Sequence, residues 1–217
     1  VRILPLGDSI TQANMRHRSY RYNLWIKLID AGADFDFIGS MNRNFNTNPT
    51  WPDYKGRSFD PDHEGHWGWR TDKILNGSPA QRDERLSEWL KTYTPDIVMI
   101  HLGTNDVSQS QSTSSTADEL RQIIKVLRDD NPAVVILLAK LIPVLNMGTN
   151  LRIDELNSRM DAIADETSNP ASPVVVVDQN SGFDAHADTY DQLHPNERGE
   201  EKMAARWFDA LRPFLDK

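Results

Sequence analysis

Four short apolar runs recur along the chain, and each has the character of a buried β-strand. They cover residues 1–6, 97–102, 134–138 and 174–177, and they are rich in β-branched side chains. Strands that are apolar on both faces are typical of parallel sheets covered by helices on both sides. A weaker fifth run, residues 35–38, alternates with aspartates, which predicts a strand near a sheet edge.

Between these runs, apolar residues recur with the spacing of an amphipathic helix. The spacing predicts helices over residues 20–29, 79–93, 117–127, 151–164 and 197–215. Strands that alternate with helices form parallel sheets through right-handed crossovers. The pattern therefore predicts an α/β fold, a three-layer α/β/α sandwich with a five-stranded parallel sheet. No repeat or flexible linker divides the chain, so we expect residues 1–217 to form a single domain.

One long segment, residues 40–67, has no clear periodicity and is rich in Asn, Asp, Pro and aromatic residues. Loops of that length in compact domains are usually functional or disordered. The many aromatic side chains in or just beyond the segment favour a packed binding loop. They are Phe45, Trp51, Tyr54, Phe59, Trp67 and Trp69.

The composition excludes several functional classes. With 32 acidic and 24 basic residues, the formal net charge is −8, so the field of the protein repels nucleic acid and anionic lipid surfaces. No run approaches the roughly 18 apolar residues of a membrane helix, so we expect neither a nucleic acid nor a membrane partner. Because the chain has no cysteine, a nucleophile must be a hydroxyl, a carboxylate or an amine.

The first strand is followed by a candidate nucleophile within the segment Gly7 to Thr11. The carboxyl ends of parallel strands face the ligand crevice, so Ser9 is delivered to that crevice. Backbone N–H groups that turn into a helix there can stabilise negative charge beside the serine. A serine after a strand is also a common helix cap or turn residue, so other groups must support this role.

A nucleophilic serine requires a base, and the base requires an orienting group. Asp191 and His194 are spaced so that the carboxylate can fold back onto the imidazole. The segment Asp60 to His63 has the same spacing, but it lies inside the long loop, where no strand end fixes its position. We favour Asp191 and His194, which follow the last strand and precede a helix, a rigid place for a base.

Two segments supply candidate donors for a developing oxyanion. Asn105 follows the strand at 97–102, at the same crevice as Ser9, and its side-chain amide could donate. Gly68 lies between two tryptophans, and a glycine there lets the backbone N–H approach a ligand closely. Each residue could equally be an ordinary loop asparagine or turn glycine.

Together these segments resemble the SGNH, or GDSL-type, hydrolase family, whose four blocks contribute Ser, Gly, Asn and His in that order. The blocks read Gly7 to Ile10, Gly68 to Thr71, Gly103 to Asp106, and Asp191 to Pro195. The resemblance extends from residue 3 to about residue 205, nearly the whole chain.

The resemblance implies a flavodoxin-like SGNH hydrolase fold and a role for each block residue. Ser9 would be the nucleophile, His194 the general base and acid, and Asp191 the residue that orients the histidine. The backbone N–H groups of Ser9 and Gly68 and the side chain of Asn105 would form the oxyanion hole. Many relatives have a glycine near position 13, where this chain has Gln12 and Ala13, a difference that touches no catalytic group in this interpretation.

Within the family, the sequence is most similar to the acetyl xylan esterases of carbohydrate esterase family 3. This similarity rests on residues 2–6, 20–22 and 63–66. It implies a serine esterase that hydrolyses acetyl or other short-chain esters of carbohydrates through an acyl-enzyme. We expect four aromatic residues around Gly68 to stack on sugar rings, although core filling explains the last two equally well: Trp51, Tyr54, Trp67 and Trp69.

Other functions remain open at this point. An SGNH thioesterase or lysophospholipase could use the same groups on a lipid-like acyl ester, and a non-catalytic domain could bind carbohydrate through the aromatic loop. Residues His63 to His66 lack the HExxH spacing of a zinc hydrolase, and no EF-hand spacing supports calcium in the segment Asp60 to Glu64. We expect no cofactor, no catalytic metal and a monomer.

Localisation rests on weaker arguments. The chain begins at Val1 without a basic and apolar leader, which is typical of a trimmed chain. Together with a polysaccharide substrate, this favours an extracellular, secreted protein, and a cytoplasmic location stays open.

Overall fold

A parallel sheet forms the middle layer of the protein. The structure is a computed structural model in which residues 1–80 and 83–215 are described. The strands are β1 (Arg2–Gly7), β2 (Asp36–Phe37), β3 (Glu64–Gly65), β4 (Ile97–His101), β5 (Val135–Lys140) and β6 (Val174–Asp178). Their order is β2-β1-β4-β5-β6, and β3 pairs with the carboxyl end of β1 on the same side as β2.

Helices cover both faces of the sheet. They are α1 (Ser9–Gln12), α2 (Ser19–Asp30), α3 (Thr71–Asn76), α4 (Leu86–Trp89), α5 (Thr104–Ser108), α6 (Thr113–Asp130), α7 (Met147–Thr167) and α8 (Glu197–Leu211), and a 3₁₀ turn (Arg212–Phe214) follows α8. One hydrophobic cluster joins α2 and α8 to the sheet, and a second joins α3, α6 and α7 to the opposite face. The predicted three-layer α/β/α sandwich is confirmed.

The apolar strands are explained by the two clusters. Successive side chains of a strand point to opposite faces of a sheet. In β4, Val98 and Ile100 enter one cluster, whereas Ile97 and Met99 enter the other. Because both faces are dry, every position of a central strand must be apolar. The edge strand β2 instead alternates, with Asp36 exposed and Phe37 buried.

Several element boundaries differ from the predicted ones. Of the predicted helix over residues 79–93, only Leu86–Trp89 is helical among the described positions, and residues 81 and 82 lie outside them. The last helix ends at Leu211 because Pro213 cannot continue it. The sequence pattern also missed β3, since two residues carry no periodicity.

Parallel pairing brings the carboxyl ends of the strands to one edge of the sheet. Gly7, at the end of β1, pairs with His101, at the end of β4, and with Gly65 in β3. The segments that follow these strands are therefore neighbours in space. None of the helices built from the described residues is long and apolar enough to cross a membrane.

A fully buried side chain of the sheet should carry a large share of the stability. Leu137→Ala, in β5, should lower the free energy of unfolding by about 2–5 kcal/mol, because it removes buried methyl groups and leaves a cavity. Leu151→Ala, the same change at a position that is 66% exposed, should stay within about 0.5 kcal/mol of wild type. Urea unfolding of the two variants tests this, and equal losses would contradict the packing described here.

Candidate active site

Ser9, His194 and Asp191 come together at the carboxyl edge of the sheet. The Oγ of Ser9 lies 2.8 Å from Nε2 of His194, and Nδ1 of His194 lies 2.8 Å from Oδ2 of Asp191. An ionised carboxylate only accepts hydrogen bonds, so Nδ1 carries the proton in that pair. Nε2 is then free to accept the hydrogen of the serine hydroxyl.

A tight turn fixes the carboxylate against the imidazole. Oδ1 of Asp191 accepts the backbone N–H groups of His194 and Leu193, at 2.7 and 3.2 Å. Burial raises the pKa of Asp191, but the backbone and ring hydrogen bonds from His194 outweigh that effect and hold the pKa below its usual value. The carboxylate therefore stays ionised. The carbonyl of Gln192 accepts the N–H of Leu145, which joins the turn to the segment after β5.

Ser9 is held by the cap of the short helix α1. Oδ1 of Asp8 accepts the N–H of Ile10 at 2.9 Å, and Asp8 is fully buried. Burial raises the pKa of Asp8 to about 7, against the opposing effect of the Ile10 hydrogen bond. Ser9 is the first residue of α1, a position whose N–H has no acceptor within its own helix.

Gly68 has a left-handed backbone, with φ of +76°, which favours glycine. A Cβ at this position would meet no atom within 4 Å, so the backbone conformation rather than space selects the glycine. The neighbouring N–H groups are occupied: Trp67 donates to Oε1 of Gln12 at 2.9 Å, and Trp69 donates to the carbonyl of His66 at 3.1 Å. No group within residues 1–80 and 83–215 accepts the N–H of Gly68.

Asn105 links the serine and glycine segments. Its side-chain Nδ2 donates to the carbonyl of Trp69 at 3.0 Å and to Oδ2 of Asp8 at 3.3 Å. Since Trp69 follows Gly68 and Asp8 precedes Ser9, the amide lies between the two predicted backbone donors. The structure therefore brings all three predicted oxyanion donors to one place.

The four predicted stacking aromatics do not share one location. Trp67 stacks on the ring of His194, with centroids 4.7 Å apart, and Trp69 stacks on His66 at 4.5 Å. Trp51 and Tyr54 stack on neither of these histidines among the described residues, and their sugar-stacking role stays a prediction.

Both of these residues pack against the α2 side of the sheet. Trp51 contacts Phe59 and donates its indole N–H to the carbonyl of Arg18. The hydroxyl of Tyr54 donates to the carboxylate of Asp30, the last residue of α2. This helix runs away from the carboxyl edge, so Tyr54 lies at the far end from Ser9. The polar and aromatic loop composition could not distinguish packing under the loop from a binding surface.

The competing pair, Asp60 and His63, does not form a second triad. His63 is fully buried; its ring donates to the carbonyl of Arg43 and accepts the N–H of Gly65. Burial lowers its pKa well below the usual value. The carboxylate of Asp60 instead accepts the N–H of Phe37 at 2.8 Å.

The carboxylate of Glu64 is occupied by protein donors rather than left for a cation. It is fully buried and accepts the N–H and hydroxyl of Ser40 at 2.8 and 2.7 Å, together with the hydroxyl of Tyr93. His66 Nε2 lies 2.6 Å from it, and the ring of His66 stacks on Trp89. In the part of the chain that the structure describes, no three metal-ligating side chains gather into a possible metal site.

Sequence reasoning missed the role of Gln12. Its side chain is 5% exposed and bridges α1 to the loop: Oε1 accepts the N–H of Trp67, and Nε2 donates to the carbonyl of Arg43 at 3.4 Å. It therefore fixes the turn that carries Gly68. A lone polar residue at this position gives no sequence signal for such a role.

A hydroxyl, an imidazole and a carboxylate connected in this order are the arrangement found in serine hydrolases. Here it lies at the carboxyl edge of a parallel sheet, beside backbone N–H groups. Residues 6–202 match the GDSL-like lipase/acylhydrolase family. The chain therefore belongs to this family, the SGNH, or GDSL-type, hydrolases.

Three of the proteins similar to this chain are esterases. A carbohydrate esterase family 3 protein from Talaromyces cellulolyticus is 30% identical, with a TM-score of 0.84 over 99% of this chain and 98% of that one. An acetyl esterase, crystallised as a serine-to-alanine variant with acetate, is also 30% identical, with a TM-score of 0.83 and the same coverage. A multidomain esterase from Ruminococcus flavefaciens is 30% identical over 99% of this chain, which spans only 29% of that protein.

Removal of the Gln12 bridge should affect turnover more than substrate binding. Gln12→Ala frees the Trp67–Gly68 turn, so kcat for nitrophenyl acetate should fall on the order of ten-fold or more, because the Gly68 donor is less well positioned. Gln122→Ala, the same change at an exposed position of α6, should leave kcat unaltered. A folded Gln12→Ala protein with wild-type kcat would exclude this positioning role.

A second buried carboxyl beside the site should make stability depend on pH. Glu200 lines the small cavity behind Ser9 and His194, and burial raises its pKa from 4.5 to about 7, opposed by a hydrogen bond from the N–H of Ser19. As pH rises from 4.5 to 7, the unfolded chain releases this proton and the folded protein keeps it, so stability falls.

Glu200→Gln keeps the acceptor for Ser19 and removes the titration. Its free energy of unfolding relative to wild type should therefore increase as pH rises through this interval and level off above about pH 7. Urea unfolding at a series of pH values measures the difference. Parallel curves for the two proteins would show that Glu200 titrates normally.

Proposed function

We propose that this chain is a serine esterase that removes acetyl and other short acyl groups from carbohydrates such as acetylated xylan. The observation that carries the proposal is the continuous hydrogen-bonded path from Ser9 through His194 to Asp191, with both distances 2.8 Å. The similarity to carbohydrate esterases over almost the entire chain supports the substrate class.

In the first step, Ser9 Oγ attacks the ester carbonyl while His194 Nε2 takes its proton. The new Oγ–C bond converts the carbonyl oxygen to an oxyanion. His194 then gives the proton to the leaving alcohol, the C–O bond breaks, and an acyl group remains on Ser9. Asp191 keeps the imidazole in the tautomer that this exchange requires.

The oxyanion would be stabilised by the N–H groups of Ser9 and Gly68 and by the side-chain amide of Asn105. Both amide hydrogens of Asn105 have acceptors in this structure, and the 3.3 Å bond to Asp8 is the longer of the two. We infer that this hydrogen turns to the oxyanion when it forms. In the second step, water gives a proton to His194 Nε2 and attacks the acyl carbon. The acyl C–Oγ bond then breaks, the proton returns to Ser9, and the carboxylic acid leaves.

The cavity at Ser9 has no room for a long acyl chain. Ser9 and His194 border a cavity of about 10 Å³, which holds no more than one water molecule. A long acyl chain would have to lie on the surface.

We further propose that the protein acts as a monomer outside the cell, where polymeric xylan is found.

One observation favours the alternative of a lipid-like acyl substrate. Leu145, Met147 and Leu151 are 37%, 78% and 66% exposed, and the first of them is hydrogen-bonded to the turn that carries Asp191. An acyl chain leaving Ser9 on that side would contact them. A profile of nitrophenyl esters separates the two functions: acetate should be the preferred acyl group, and preference for long chains would overturn the carbohydrate assignment.

The nucleophile is tested by replacing its hydroxyl. Ser9→Ala should reduce hydrolysis of nitrophenyl acetate and acetate release from acetylated xylan by roughly 10³-fold or more, since no acyl-enzyme can form. Ser158→Ala, an exposed serine in α7, is the matched control and should keep full activity. Hydrolysis that survives Ser9→Ala would contradict the proposal. Wild-type protein that binds xylan without hydrolysing it would instead be a carbohydrate-binding domain.

A further inference from the structure

Five aromatic rings stack in an arc, and the imidazole of His194 is the middle one. We call it the ring arc: Phe45, Trp67, His194, Tyr190 and His17. Successive rings stack with centroids 4.6, 4.7, 5.7 and 3.9 Å apart and planes within 23° of parallel. The imidazole is the third ring, between Trp67 and Tyr190.

The two ends of the ring arc return to the same piece of chain. The N–H of Phe45 donates to the carbonyl of Ala13, and the N–H of His17 donates to the carbonyl of Asn14. The side chain of Asn14 also donates to the hydroxyl of Tyr190 at 2.8 Å. Because both ends of the stack are hydrogen-bonded to residues 13–17, the stack curves. An open groove lies inside the curve.

This groove, which we call the aromatic groove, has a volume of about 510 Å³. Its walls include Asn14, Arg16, His17, Phe45, Trp67 and Tyr190. His17 and Tyr190 also line the cavity at Ser9 and His194, so the groove borders the cavity of the reacting hydroxyl.

The lining has the chemistry of a sugar subsite. Phe45 and Tyr190 are 40% and 38% exposed, unusually high for aromatic residues packed into a stack. Aromatic rings stack on the C–H faces of a pyranose, whereas amide, guanidinium and imidazole groups donate to its hydroxyls. A fatty acyl chain would offer no acceptor to the guanidinium of Arg16.

We propose that the aromatic groove binds the alcohol half of the substrate, a neutral pyranose whose hydroxyl carries the acyl group, with Phe45 and Tyr190 as its stacking surfaces. The proposal rests on the esterase function proposed above and assigns the side of Ser9 from which the sugar leaves.

Phe45→Ala is the sharpest variant, because Phe45 reaches His194 only through Trp67. The KM for an acetylated xylo-oligosaccharide should rise about ten-fold, the loss expected for one stacking ring. The kcat/KM for nitrophenyl acetate, which has no sugar, should stay within about two-fold of wild type. Phe208→Ala, the same change at a half-buried position of α8 outside the groove, should change neither value.

Binding without turnover separates this proposal from the esterase function. Unacetylated xylo-oligosaccharide should change the tryptophan fluorescence of Ser9→Ala protein, and Phe45→Ala added to that protein should weaken the binding by a similar factor. Equal losses on both substrates in Phe45→Ala, or a loss on the sugar ester confined to Phe208→Ala, would overturn the subsite. Nitrophenyl acetate hydrolysis that survives Ser9→Ala would overturn the esterase function, while sugar binding lost in Phe45→Ala would still support the groove.

Discussion

The parallel pairing of β1 with β4 is the constraint on which the rest of this structure depends. It aligns Gly7 with His101, so the segments that carry Ser9 and Asn105 leave the sheet side by side. Because helices bury both faces of the sheet, polar chemistry has no place along the strands and is confined to their carboxyl ends. The last turn before α8 then has only to deliver one imidazole to this edge, where its Nε2 meets the serine.

Several carboxyl groups are buried around the site, and their burial costs stability. Asp8, Asp106 and Glu200 are all nearly or fully buried near this edge, and burial raises their pKa values to about 7, 6 and 7. Buried carboxyls with raised pKa values cluster at functional sites, where they hold loops and donors in position. Asp8 does both: one oxygen caps α1 and the other accepts the amide of Asn105. Stability is thereby exchanged for a fixed arrangement of donors around Ser9.

Strand and helix periodicity was sufficient to predict the sheet, its layers and the edge at which polar residues gather. The spacing of Asp191 and His194 predicted a local turn, and the structure contains that turn. Long-range side-chain contacts left no such signal. The bridge from Gln12 to the Gly68 turn joins residues far apart in sequence, and the ring arc needs four separate segments. The composition of the long loop favoured a binding role for Trp51 and Tyr54, but it carried no signal that both pack on the α2 side of the sheet.

The proposed mechanism depends on attack of the Ser9 Oγ on the ester carbonyl. A phosphonate ester that mimics the tetrahedral intermediate tests this directly, because it modifies only an activated hydroxyl beside a formed oxyanion hole. Mass spectrometry of the inactivated protein should find one adduct, on the peptide that contains Ser9, with activity lost in proportion to labelling. An adduct on another residue, or complete labelling with hydrolysis intact, would contradict the account.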